Sequence, residues 1–129
     1  MYRGIKKIAI VDDAPFIREI LRNIANSQGW FVVGESDNGL GAVKMVLVAK
    51  PQVIIMDIVM PESNGIEATK KILQSNPAIK IIACSTVDQE SILLDAIEVG
   101  CCSYITKPFK KDEIVISVNQ AFELIKEVS

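Results

Sequence analysis

Short apolar runs alternate with longer segments of helical spacing along the whole chain, and this alternation limits the possible folds more than any other feature. It is the repeat expected of a parallel sheet whose strands are joined by helices. The runs predict strands near 5–11, 31–34, 53–56, 79–84 and 102–105. The first, third and fourth are apolar at consecutive positions, as strands are when helices cover both faces of the sheet. Phe16, Ile17, Ile20, Leu21 and Ile24 make one face of a first helix, with Pro15 in its opening turn, where a missing N–H costs least. A second helix covers about 40–50 and stops at Pro51, and a third covers 65–75 and stops at Asn76-Pro77. The fourth covers about 89–99, capped by Asp88 and closed at Gly100. Ile114, Val118, Ala121, Phe122 and Ile125 make the inner face of a fifth.

At 129 residues the chain is expected to form one α/β domain, spanning 3–127 with no second domain. No apolar stretch approaches the roughly 20 residues of a membrane helix. The segment from Met1 to Lys7 lacks the apolar block of a signal peptide. A soluble, cytoplasmic protein is the economical reading. The net charge of -2 and a pI near 5.2 argue against a nucleic-acid surface. The chain has no histidine, which removes histidine-based triads and metal sites. Any metal must be held by oxygen, which favours magnesium, calcium or manganese. Cys84, Cys101 and Cys102 lack zinc-like spacing and read as buried small hydrophobes.

What remains is a set of polar residues at strand ends. Asp57 closes the run Val53-Ile54-Ile55-Met56 and opens a turn containing Pro61 and Gly65. Asp12 and Asp13 end the first run, Ser85 ends the fourth and Lys107 ends the last. In an open parallel sheet, ligands bind beyond the carboxyl ends of the strands; if the first strand lies between the second and third, Asp12 and Asp13 face Asp57 across that crevice, with Ser85 and Lys107 on strands beyond the third. Two carboxylates 4 Å apart repel by about 4 kcal/mol at an effective dielectric of 20. Either one protonates or a divalent cation neutralises them. Magnesium fits, because it takes one or two carboxylates and keeps waters that a phosphate oxygen can replace. With the cation and Lys107 screening charge, Asp57 could attack phosphorus, and Ser85 could hydrogen-bond the arriving phosphoryl group.

Taken together, Ile10-Val11-Asp12-Asp13, Met56-Asp57, Met60-Pro61, Gly65, Cys84-Ser85-Thr86, Gly100 and Tyr104-Ile105-Thr106-Lys107-Pro108-Phe109 resemble the receiver domain of two-component response regulators, nearest to the stand-alone, CheY-like chemotaxis type. The resemblance implies a flavodoxin-like, five-stranded parallel sheet of order 2-1-3-4-5 flanked by five helices. It implies Asp57 as phospho-acceptor, with Mg2+ (or Mn2+) on Asp13, Asp57 and the Val59 carbonyl, and Asp12 acting through water. Ser85 and Lys107 become phosphoryl contacts, Ser85 and Tyr104 the switch residues, and Lys107-Pro108 a cis peptide. The implied partners are a histidine kinase as phosphodonor and a downstream protein read through the face of helix four, strand five and helix five. Leu94 is expected to be exposed on that face, opposite the core residues Ile92, Leu93, Ala96 and Ile97. The assembly is a monomer or a phosphorylation-dependent dimer.

Three residues depart from the family pattern. Thr86 stands where Ala or Gly is usual, and Val59 and Val87 place apolar side chains at the variable positions flanking the site. The leading reading is therefore a signalling switch, not an enzyme, with only its own phosphotransfer and slow autodephosphorylation to catalyse. An aspartyl-phosphate phosphohydrolase is an alternative, but those enzymes carry an Asp-x-Asp after the first strand and a cap domain. The other alternative is an interaction module without phosphorylation, against which the complete acid-Ser-Lys set argues.

Overall fold

The computed structural model describes residues 4–61 and 63–125, with the backbone alone at Val87. Position 3 and positions 126–127 of the expected domain lie outside the described residues. Five parallel strands form the main sheet: β1 Lys7–Val11, β2 Phe31–Ser36, β3 Val53–Asp57, β4 Lys80–Thr86 and β5 Ser103–Lys107. They lie in the order β2-β1-β3-β4-β5, the order the resemblance implies. Five helices connect or follow them: α1 Pro15–Gln28, α2 Gly39–Ala49, α3 Gly65–Ser75, α4 Glu90–Glu98 and α5 Lys111–Glu123.

Strand alternation divides the apolar residues between two cores. On one face Ala9, Val11, Ile54, Met56, Ile81 and Ala83 pack under Ala42 and Val46 of α2, Ala68 and Ile72 of α3, and Leu93 and Ala96 of α4. On the other, Ile8, Ile10, Val53, Ile55, Ile82, Cys84 and Ile105 pack under Leu21 and Ile24 of α1 and Ile114, Val118 and Phe122 of α5. The consecutive apolar runs in β1, β3 and β4 serve both faces at once. Trp30 is buried at the amino end of the sheet, next to Phe31, which pairs with the first residue of β1.

The helix ends follow local chemistry. Pro15 opens α1, and Gly29 closes it in the left-handed conformation (φ 75°), where a Cβ would be strained. Asn38 and Asn64 cap α2 and α3 by accepting from backbone N–H groups of the first turn. Asp88 does not cap α4. It lies inside a 3-10 turn, Val87–Gln89, and accepts from the Thr86 hydroxyl instead. Phe16 is 70% exposed, because it falls off the stripe that Ile17, Leu21 and Ile24 turn toward the sheet. Ile97 is also exposed, at the margin of the α4 core face beside Leu94. A short antiparallel hairpin, Val59–Met60 with Ser63–Asn64, had no counterpart among the predicted strands. Among the described residues, no helix is long and apolar enough to cross a membrane.

Candidate functional site

Strand register brings the polar residues together at the carboxyl edge. Val11 pairs with Met56, so Asp12 emerges beside Asp57 at the centre of the sheet. Asp57 pairs with Cys84, so Ser85 is one residue beyond it on the next strand. Thr86 pairs with Lys107 at the end of β5. A lysine is long enough to reach back from there: its Nζ lies 2.7 Å from Asp12 Oδ2 and 3.3 Å from Asp57 Oδ2.

The three acids are treated differently by the fold. Asp57 is 4% exposed, and its Oδ1 accepts from the Val59 N–H at 3.1 Å. Asp12 is equally enclosed, with Oδ1 accepting from the Ala14 N–H at 2.9 Å. Asp13 is exposed at the mouth. A carboxylate oxygen from each lies within 4.8 Å of the other two. Burial pushes the Asp57 carboxyl up to about 6; Lys107 opposes the rise, Asp12 adds to it and the Val59 N–H opposes it. Burial alone would lower the Lys107 ammonium pKa, but its bond to Asp12 and the charges of Asp57 and Asp12 outweigh that and raise it.

Three carboxylates face one ammonium at this centre, and the imbalance fits a divalent cation held by oxygen. A second feature that suits a ligand here is Ser85, whose hydroxyl is buried without a hydrogen-bond partner. An unmade bond of that kind costs about 1–3 kcal/mol, and an arriving anion would satisfy it. Acid pocket, ammonium and waiting hydroxyl together suit a tetrahedral oxyanion bound next to a metal.

The response regulator receiver domain sequence model matches residues 8–119. This chain belongs to that family. The receiver is 42% identical to the chemotaxis protein CheY of Thermotoga maritima, over 89% of the chain and 96% of the relative. Among solved structures, the response regulator domain of T. maritima CheB superposes with a TM-score of 0.85 at 34% identity, covering 94% and 98% of the two chains. CheY in the CheX–CheY–BeF3–Mg complex of Borrelia burgdorferi gives a TM-score of 0.86 at 25% identity, covering 92% and 91%. As a receiver, the protein is a phosphorylation-dependent switch of two-component signalling, supplied by a kinase and read by downstream targets.

Of the expected site residues, Asp12, Asp13, Asp57, Ser85 and Lys107 meet at one end of the sheet. Val59 stands in the hairpin beside them and is 43% exposed, while Tyr104 lies apart, on β5, and is 46% exposed. The Val87 side chain lies outside the described residues. The Lys107-Pro108 peptide is cis. Sequence reasoning missed Arg18, whose Nη1 donates to the Asp12 carbonyl at 2.6 Å while its Nε pairs with Glu35 at 3.4 Å. No motif signals this role; a first-turn arginine facing back to the β1 end is its sole trace. Cys84 and Cys101 are buried, with thiols pushed by burial up to about 12, whereas Cys102 is half-buried, and all three are free.

Proposed function

We propose that Asp57 is the residue that accepts the phosphoryl group, from a phosphohistidine on a partner kinase. The observation that carries this is a nearly enclosed carboxylate whose oxygen sits 3.3 Å from Lys107, one residue across from an unpartnered Ser85 hydroxyl. An Asp57 oxygen forms the new O–P bond as the donor N–P bond breaks, and the electron pair returns to the donor imidazole. Lys107 holds charge on the phosphoryl oxygens, and Ser85 donates its O–H to one of them. Asp13, Asp57 and the Val59 carbonyl would hold Mg2+ (or Mn2+), with Asp12 reaching it through water. Bound there, the cation supplies neutralisation of the charge that gathers on the phosphoryl oxygens.

The same reading extends to output. Leu94 and Tyr104 are exposed on α4 and β5, and a phosphoryl group that engages Ser85 would shift an existing equilibrium in which Tyr104 turns inward. The α4–β5–α5 face then binds a downstream protein, in a chemotaxis-type pathway of the cytoplasm, by a monomer or by a dimer formed on phosphorylation. Light scattering with and without beryllofluoride separates these two states. The receiver unit spans 3–127, beyond the family match, because Ile125 still packs against the α1–α5 core. Loss of the phosphoryl group by the protein's own catalysis is slow.

The deciding experiment is incubation with acetyl phosphate and magnesium followed by mass spectrometry. The wild type should gain one phosphate and the Asp57→Ala variant none. A full adduct on the variant would place the acceptor elsewhere.

A further inference from the structure

Two hydroxyls follow one another at the end of β4, and only one is engaged. Ser85 Oγ is buried and unpartnered. Thr86, pointing the other way as strand alternation requires, donates from Oγ1 to Asp88 Oδ1 at 2.5 Å. Asp88 belongs to the 3-10 turn that runs directly into α4 at Glu90. The side-chain bond therefore ties the last residue of β4 to the turn that opens α4.

We propose that Thr86 and Asp88 form a latch that holds the end of β4 in its resting position and opposes the approach of Ser85 to a phosphoryl group on Asp57. This rests on the reading of Asp57 as the acceptor. The α-carbons of Ser85 and Thr86 are linked across one peptide, about 3.8 Å apart, so one residue cannot shift without carrying the other. Thr86 is also stiff about χ1, because its Cβ is branched. Moving the strand end thus breaks the hydrogen bond to Asp88 or drags the turn along with it. A hydrogen bond to a carboxylate is stronger than one between neutral groups, so this bond resists the movement. The latch raises the population in which Ser85 is out of reach, and the apparent affinity for a phosphoryl group falls in proportion. Thr86 and Asp88 are positioning residues; neither touches the phosphoryl group.

The test is the affinity of the intact chain for beryllofluoride in the presence of magnesium, measured by titration calorimetry. Thr86→Val keeps the branched shape and loses the donor; Asp88→Ala removes the acceptor; Thr86→Ser keeps the donor. Thr86→Val and Asp88→Ala should each bind about three- to tenfold more tightly, with Thr86→Ser at the wild-type value. The double variant Thr86→Val, Asp88→Ala should bind no more tightly than either single variant, because the same bond is lost. Damage to the fold weakens binding, so a gain cannot arise from it. The latch is overturned if the single variants bind no more tightly, or if Thr86→Ser, which keeps the donor, gains as much as Thr86→Val. It is equally overturned by additive gains, which would mean that the two side chains act independently and not through one shared bond. A wild type that binds no beryllofluoride removes the acceptor reading and the latch with it, whereas binding without any difference among the variants removes the latch alone.

Discussion

Burial pushes the Asp57 carboxyl up to about 6 even though Lys107 and the Val59 N–H stabilise its anion. The folded chain therefore holds the Asp57 proton more tightly than the unfolded chain does. That contribution to stability is complete below about pH 4 and is lost as pH rises through about 6. At pH 8 in chelator, Asp57→Asn should accordingly be more stable than the wild type by roughly 2–3 kcal/mol, the free-energy equivalent of the shift. Urea midpoints at pH 8 and pH 4.5 check this, and a gap that stays constant with pH would rule out the buried charge as its cause. Val59 leads to a second expectation at the same scale. Its exposed apolar side chain stands beside the acceptor and cannot orient an attacking water, a service worth a large part of such a barrier. Val59→Asn should shorten the lifetime of the acyl phosphate severalfold, read as phosphate lost from Asp57 over time. An unchanged lifetime would mean that this side chain does not set it. The acids, Ser85 and Lys107 were legible in the sequence because, each ordinary alone, they together close strands whose carboxyl ends form the ligand-binding edge of a parallel sheet. That Lys107 would lie closer to Asp12 than to Asp57, and that Arg18 would brace Asp12, depends on side-chain reach across strands, which spacing does not encode.

Elements were legible wherever apolar periodicity was strong, and least so at their polar ends. The ladder of β2 continues through Glu35 and Ser36, that of β4 through Ser85 and Thr86, and that of β5 through Thr106 and Lys107. Hydrogen bonding continues there after the hydrophobic pattern has stopped. The hairpin between β3 and α3 escaped for a related reason, since a two-residue ladder is too short to show alternation. Its base is fixed by Gly65, where an added methyl would stand 2.6 Å from Ile58 Cα and 2.7 Å from the Asp57 carbonyl oxygen. Both obstacles are backbone atoms, so they cannot give way by a rotamer change. Gly65→Ala should cost at least about 2 kcal/mol and also weaken magnesium binding by displacing the Asp57–Val59 segment. Thermal melts with and without magnesium measure both effects; a loss of stability with magnesium affinity intact would show the segment unmoved. On α4 and β5, Leu94 and Tyr104 are exposed. Replacing each by Ala should weaken capture of the downstream partner about tenfold or more while leaving phosphorylation of Asp57 intact. Equal capture by wild type and variants would put the output surface on another face.

At the scale of the molecule, one sheet supplies both cores, so neither face can lose its packing alone. Leu93 of α4 and Phe122 of α5 are fully buried on opposite faces. Truncating either to Ala should cost about 2–5 kcal/mol and shift a single transition, followed by far-UV circular dichroism and by amide exchange. Separate transitions for the two faces would mean that the sheet does not couple them. The strand order came from the family resemblance, whereas the assignment of helices to faces emerged from the structure, because the side chosen by each connection depends on handedness and twist. The same sheet has two unlike ends, and the chain's single tryptophan stands at the amino one, buried in the core beneath α1 and α5. Its native fluorescence is therefore an optical gauge of whether the molecule is folded, dark to the arrival of a cation or a phosphoryl group at the opposite edge. Following the switch in real time by light requires a fluorophore added at the carboxyl edge, and its signal can then be read against Trp30 as an internal standard.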